Sequence, residues 1–188
     1  MLAVFLTFTT RYFGSRTINA TNRLAILGYA VPGAVIAIGI LLLAKQVNQA
    51  TGWIMTGSLS MLVLAYIVRF LAVAWQPIDS GMERNCEQIN NASRSLGVTA
   101  IQSLTNINIP LLRNALVTAG LFVFVDTMKE LPLTLILRPF NFETLSTKTF
   151  DLAQQAQIPE SSVPALCIIL VSLLPLIWLN LQIRNTEK

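Results

Sequence analysis

Residues 90–110, NNASRSLGVTAIQSLTNINIP, form a long polar stretch with Arg94 as its single charged residue, set between two strongly apolar blocks. A plain helix–helix connection is typically about two to eight residues long. A longer segment that still carries helix signals therefore reads as ordered. Residues 85–96, NCEQINNASRSL, suit a helix of about three turns. Gly97 follows, at the place where a left-handed C-cap favours glycine. Thr99 and Gln102 stand three apart, the spacing of a capping box that opens a second helix. Pro110 suits the first turn of a third helix. The expected order is helix, glycine corner, helix, then an apolar span. Such a unit projects a short helix along the bilayer surface and reads as a docking surface. A solvated amphipathic loop is the plainer alternative.

Working outward, the flanking blocks decide the class. The chain has 188 residues, 54% of them hydrophobic and only 12% charged. A soluble domain carries about a quarter of its residues charged, so an all-α membrane protein is expected. A bilayer core is spanned by about 20 apolar residues in a helix. Blocks of about that length run from about Leu24 to Ala44, Ile54 to Trp75, Leu111 to Leu137 and Val163 to Ile183. Residues 1–13 are apolar but too short to span. They read as the last turns of a helix whose beginning is absent, so a piece of a longer permease-like protein is expected; a short interfacial helix is the other reading.

Orientation follows the basic residues near the span ends. With residues 76–110 in the cytoplasm, that side holds Arg11, Arg16, Arg23, Arg84, Arg94, Arg113, Arg184 and Lys188. The far side holds Lys45, Arg138 and Lys148. The net charge of +4 is scattered rather than clustered, which speaks against nucleic acid. With no histidine in the chain, a Ser-His-Asp triad and a His-ligated zinc site are excluded within it. No P-loop and no G-x-S-x-G motif occurs, so neither nucleotide hydrolysis nor acyl transfer is expected of these residues. No cofactor and no metal site is expected, and a Cys86–Cys167 disulfide is not expected. Glu143, Asp151 and Glu160 are hard oxygen donors, but their spacing forms no recognisable site.

The polar stretch resembles the EAA signature of permease subunits of bacterial ABC importers: Glu-Ala-Ala, three residues, Gly, nine residues, Ile-x-Leu-Pro. Here Asn91-Ala92-Ser93 is followed by Gly97 and then by Ile107-Asn108-Ile109-Pro110, with the same spacing. The departures are Asn for Glu, Ser for the second Ala, and Ile for Leu. Other stretches, above all FVDTMKELPLTLILRPFNFETLSTKTFDLA at 124–153, are similar to ferric-iron-type permeases, in which two homologous halves are usually fused. The resemblance covers nearly the whole chain and matches the C-terminal half.

That resemblance implies a type I ABC importer permease (MetI-like) helical bundle, with about four complete transmembrane helices and a partial N-terminal one, in a single domain over 1–188. It implies that 77–110 is a cytoplasmic coupling loop, with Asn91, Ala92, Ser93, Gly97, Ile107, Ile109 and Pro110 as its ATPase-coupling residues. The missing Glu puts one contact to the ATPase in doubt. The implied partners are an ABC ATPase subunit, a periplasmic solute-binding protein, a second permease half or copy, and the lipid of the bacterial inner membrane. The implied solute is ferric iron; thiamine, phosphonate or another small solute in a related permease, and a non-transporting membrane scaffold, are the alternatives.

Charges inside the third apolar block carry the remaining signal. Asp126, Lys129 and Glu130 fall within one arc roughly 100° wide at helical spacing, with Asp126 placed to pair with Lys129. Each costs roughly 2.5–3.5 kcal/mol at a helix centre on insertion scales. They are expected to face the bundle interior, either as a packing ion pair or as the lining of a translocation path or gate. Pro132 deprives the Met128 carbonyl of its helical donor. Arg69, near the end of the second block, is expected to snorkel to the interface.

Overall fold

The computed structural model describes residues 1–13, 20, 26–52, 54–85, 89, 92, 93 and 95–186. Its elements are helical: α1 (Leu2–Phe13), a short 3₁₀ turn (Ile26–Tyr29), α2 (Gly33–Thr51), α3 (Leu59–Asn85), α4 (Ala100–Leu111), α5 (Arg113–Lys129), α6 (Pro132–Leu137), α7 (Leu145–Gln154) and α8 (Ile158–Thr186). No strand occurs among the described residues. Helices α2, α3 and α8 are long and apolar enough to cross a membrane, and the bent pair α4–α5 passes the same test together. The expected all-α membrane architecture is therefore present. Half of the expected helix over 85–96 lies outside the described residues; Asn85, Ile89, Ala92, Ser93 and Ser95 are helical.

Several boundaries differ from the expected ones. The first span begins at Gly33, because Pro32 takes the N-cap and the residue before a proline is pushed out of the α region. The span runs on to Thr51, where Gly52 turns left-handed and donates its N–H to the Asn48 carbonyl. The third apolar block is not one helix. It breaks at Glu130 and Leu131 and restarts at Pro132. Pro110 does not open the span either; α4 carries it in its last turn, and the axis then bends by 74° into α5. Before Pro110 the helix widens into a π turn over Ser103–Asn108. A proline ring clashes with the carbonyl four residues back in an α-helix, and a wider turn relieves that clash.

The chain divides into two compact units. The first comprises Met1–Ala30 and Phe70–Val123. Its core joins Ala3, Val4 and Phe8 of α1 to Ile78 and Met82 of α3, Leu112, and Ala119 of α5. Phe8 stacks on Tyr12 at 4.9 Å, and Arg11 pairs with Asp79 at 2.7 Å and Glu83 at 3.5 Å. The second comprises Val31–Arg69 and Phe124–Lys188. Its core joins Ile36, Ala37, Ile40 and Ala44 of α2 to Met61, Leu62 and Ala65 of α3, and to Leu133 and Leu137 of α6. The α2 set recurs one turn apart, so one stripe of that helix is buried. Helix α7 opens with a Thr144–Thr147 capping box and packs on α8. Between Ile158 and Asn180 of α8 most apolar side chains are exposed, as on a lipid-facing helix.

Candidate functional site

The first candidate region is the glycine corner. Ala92, Ser93 and Ser95 are helical. Val98 N–H donates to the Ser93 carbonyl at 3.0 Å, the six-to-one bond of a Schellman ending. Gly97 sits at φ +74°, the left-handed conformation expected of it. Thr99 then caps α4: its hydroxyl accepts from Gln102 N–H at 3.4 Å, and its own N–H donates to Gln102 Oε1 at 3.2 Å. The capping box is therefore formed as its spacing predicts, and such a cap stabilises a helix start by about 1 kcal/mol.

Of the coupling candidates, Asn91 lies outside the described residues. Ala92 and Pro110 are exposed, Ser93 is buried, Ile107 is half-buried, and Ile109 packs against the core of the first unit. Two apolar side chains near the corner were not among those candidates. Leu96 is 82% exposed and Ile101 is 76% exposed. Their signal was local: apolar residues on either side of a turn, with nothing in the turn to cover them.

The second candidate region is the break between α5 and α6. Asp126 Oδ1 and Lys129 Nζ pair at 2.9 Å, as the i+3 spacing predicts. The expected trio does not converge. Lys129 is 56% exposed, while the side chain of Glu130 is 10% exposed and turns to a different partner. Its Oε2 lies 3.7 Å from Arg69 Nε, and its Oε1 accepts from Leu133 N–H at 3.3 Å. Arg69 does not snorkel: it is 16% exposed and also donates from Nη1 to the Val31 carbonyl. The buried guanidinium thus has an acid to offset its charge and a carbonyl to accept from it.

The break itself is sewn up by side chains. The Thr134 hydroxyl donates to the Glu130 carbonyl at 2.8 Å and meets Tyr66 Oη at 2.6 Å. The Met128 carbonyl, orphaned by Pro132, accepts from the Ser146 hydroxyl of α7. Arg138 pairs with Asp151 at 2.9 Å, and Lys148 with Glu143 at 3.2 Å. Among the described residues no group of His, Cys, Asp and Glu is placed to hold a metal ion. The arrangement is a polar joint among apolar helices.

Comparison with known proteins agrees with that physical character. Residues 1–188 match the family described as binding-protein-dependent transport system inner membrane component. The chain is 28% identical over 159 residues to the Fe(3+)-transport system permease protein FbpB 2 of Haemophilus influenzae, covering 85% of this chain and 31% of that protein. It is 26% identical over 182 residues to the putative 2-aminoethylphosphonate transport system permease protein PhnV of Salmonella paratyphi A, covering 97% of this chain and 66% of that protein. It is 24% identical over 193 residues to the ferric transport system permease protein FbpB of Actinobacillus pleuropneumoniae, covering 96% and 28%. The chain thus spans about a third or two thirds of the length of these relatives. It belongs to the family of inner-membrane components of binding-protein-dependent transport systems.

Proposed function

We propose that this member of the family is the membrane-spanning part of an ABC importer that moves ferric iron, handed over by a periplasmic binding protein and driven by a separate ATPase subunit. Residues 77–110 are its coupling loop, on the cytoplasmic side, with Ala92, Ser93, Gly97, Ile107, Ile109 and Pro110 shaping it and Asn91 standing where the signature has Glu. The observation that carries the reading is the corner: a left-handed Gly97 flanked by the bare side chains of Leu96 and Ile101. Apolar anchors around a rigid turn are what a groove on a partner binds. Closure of the ATPase pair moves the loop, and the spans change their access in turn. A second permease half or copy completes the pathway.

Asp126 and Lys129 line that pathway or its gate, and Glu130 holds the broken helix beside them. Iron as solute rests on the two ferric relatives. A phosphonate reading is favoured by PhnV, which is matched over 66% of its own length against 31% and 28% for the ferric relatives. Uptake of labelled ferric iron and labelled 2-aminoethylphosphonate is measured in cells lacking the intact protein, with and without its return. Restored iron uptake supports the proposal. Restored phosphonate uptake alone transfers it to the second reading, and restoration of neither, with the protein in the membrane, overturns both solutes. In parallel, Leu96→Glu abolishes copurification of the ATPase subunit; undiminished copurification overturns the docking assignment.

A further inference from the structure

Within the first unit, Ser93, Ser103 and Asn108 are polar and buried. Asn108 Nδ2 donates to the Ser103 carbonyl at 2.9 Å and lies 3.2 Å from the Ser103 hydroxyl. The Ser103 hydroxyl in turn lies 3.4 Å from that of Ser93. Ser103 and Asn108 are the first and last residues of the π turn, and Ser93 stands on the arm before Gly97. One small cluster therefore ties the arm before the corner to both ends of the widened turn after it. By contrast, the neighbouring polar residues Thr99, Gln102, Thr105 and Asn106 are exposed.

We infer that Asn108 is a positioning residue for coupling: it holds Ser103–Asn108 in the π form and so sets the direction in which the glycine corner is presented. The inference rests on the coupling-loop reading above. A π turn is rare and needs support from side chains, and such turns gather at functional places. Buried amides and hydroxyls are costly unless bonded, so the cluster specifies one geometry rather than adding bulk stability. Without it, the segment falls back to the ordinary four-residue hydrogen-bond step. Dropping the extra residue of a π turn rotates everything beyond it by about 100° about the helix axis. The corner then points elsewhere while its own Schellman ending and capping box remain intact. The ATPase still binds and turns over, but its closure is no longer delivered to the spans.

The test uses the assembled transporter in proteoliposomes with its binding protein and the solute identified in the uptake assay. Asn108→Leu removes the donor at nearly constant volume, and Ser103→Ala removes the hydroxyl beside it with less disturbance. ATP hydrolysis and solute uptake are measured per complex. The expected result for Asn108→Leu is a rise of about fivefold or more in ATP spent per solute moved, the lower end of typical coupling strengths, with a smaller rise for Ser103→Ala. Hydrolysis and uptake that fall in equal proportion, or that both stay within about twofold of the parent, overturn the inference. So does failure of both variants to assemble, which assigns the cluster to folding alone. A parent complex that copurifies no ATPase or moves no solute defeats the coupling-loop reading instead, whatever the variants do.

Discussion

Arg69 and Glu130 face each other at 3.7 Å, both side chains largely buried, and Glu130 also accepts the first N–H of α6, that of Leu133. One carboxylate thus neutralises a buried cation and caps the restart of a broken helix. Removing one member of a buried pair leaves the other uncompensated, at a cost on the order of 3 kcal/mol. Glu130→Gln and Arg69→Gln are each expected to lower the melting temperature of the detergent-solubilised protein. The double variant should lose less than the sum of the two. Strictly additive losses would show that the pair is not coupled.

Gly33 has a reason to be glycine that lies in that same carboxylate. A Cβ at this position would stand 2.5 Å from Glu130 Oε1 and 3.4 Å from Leu133 Cβ. Gly33→Ala should therefore destabilise by about 1–3 kcal/mol, the usual cost of overpacking. In a Glu130→Ala background the obstruction is gone, and the same substitution should cost little. Thermal unfolding of the four proteins checks this; an equal cost in both backgrounds would place the strain elsewhere.

Pro132 and Ser146 form a second testable pair. The proline removes the donor that the Met128 carbonyl expects, and the Ser146 hydroxyl takes its place. Ser146→Ala should cost about 1 kcal/mol, because it takes the donor from a half-buried acceptor. Pro132→Ala returns a backbone N–H to the helix, so Ser146→Ala should be milder in that background. A double-mutant cycle on unfolding midpoints measures the difference.

How much of this was legible in the residues follows the reach of each interaction. The Thr99–Gln102 cap, the left-handed Gly97 and the Asp126–Lys129 pair are local, and spacing alone announces them. The orphaned Met128 carbonyl is local too, since Pro132 alone creates it. Its donor, Ser146, comes from another helix, and no pattern in the sequence points to it. Arg69 misled for a related reason. A long basic side chain near the end of an apolar run ordinarily reaches water, and only the fold brings Glu130 to it. The π turn was hidden because Ser103 and Asn108 look like two more polar residues in a polar loop, and only their burial reveals the link.

Lys129 tests the pathway assignment. Its ammonium is more than half exposed although its helix lies in an apolar block, and its partner Asp126 is partly buried. Lys129→Met keeps the length of the side chain and removes the charge. Solute uptake is expected to fall about tenfold, with the amount of ATPase copurified unchanged. Unchanged uptake would make the pair a packing feature only.

Gly97 separates backbone demand from surface contact. Its φ of +74° disfavours any side chain, yet a Cβ there would meet no atom within 4 Å. Substitutions should therefore rank by their tolerance of the left-handed region rather than by size. Asn accepts that region readily, Ala pays about 1–2 kcal/mol, and branched Val pays more. Solute moved per ATP hydrolysed is expected to stay near the parent value in Gly97→Asn, to drop in Gly97→Ala and to drop furthest in Gly97→Val. If Asn proves as harmful as Val, the open space at Gly97 is filled by the partner, and the corner works by close approach instead of by its turn. If Val behaves as the parent does, the corner transmits nothing, and the coupling role of this loop is lost with it.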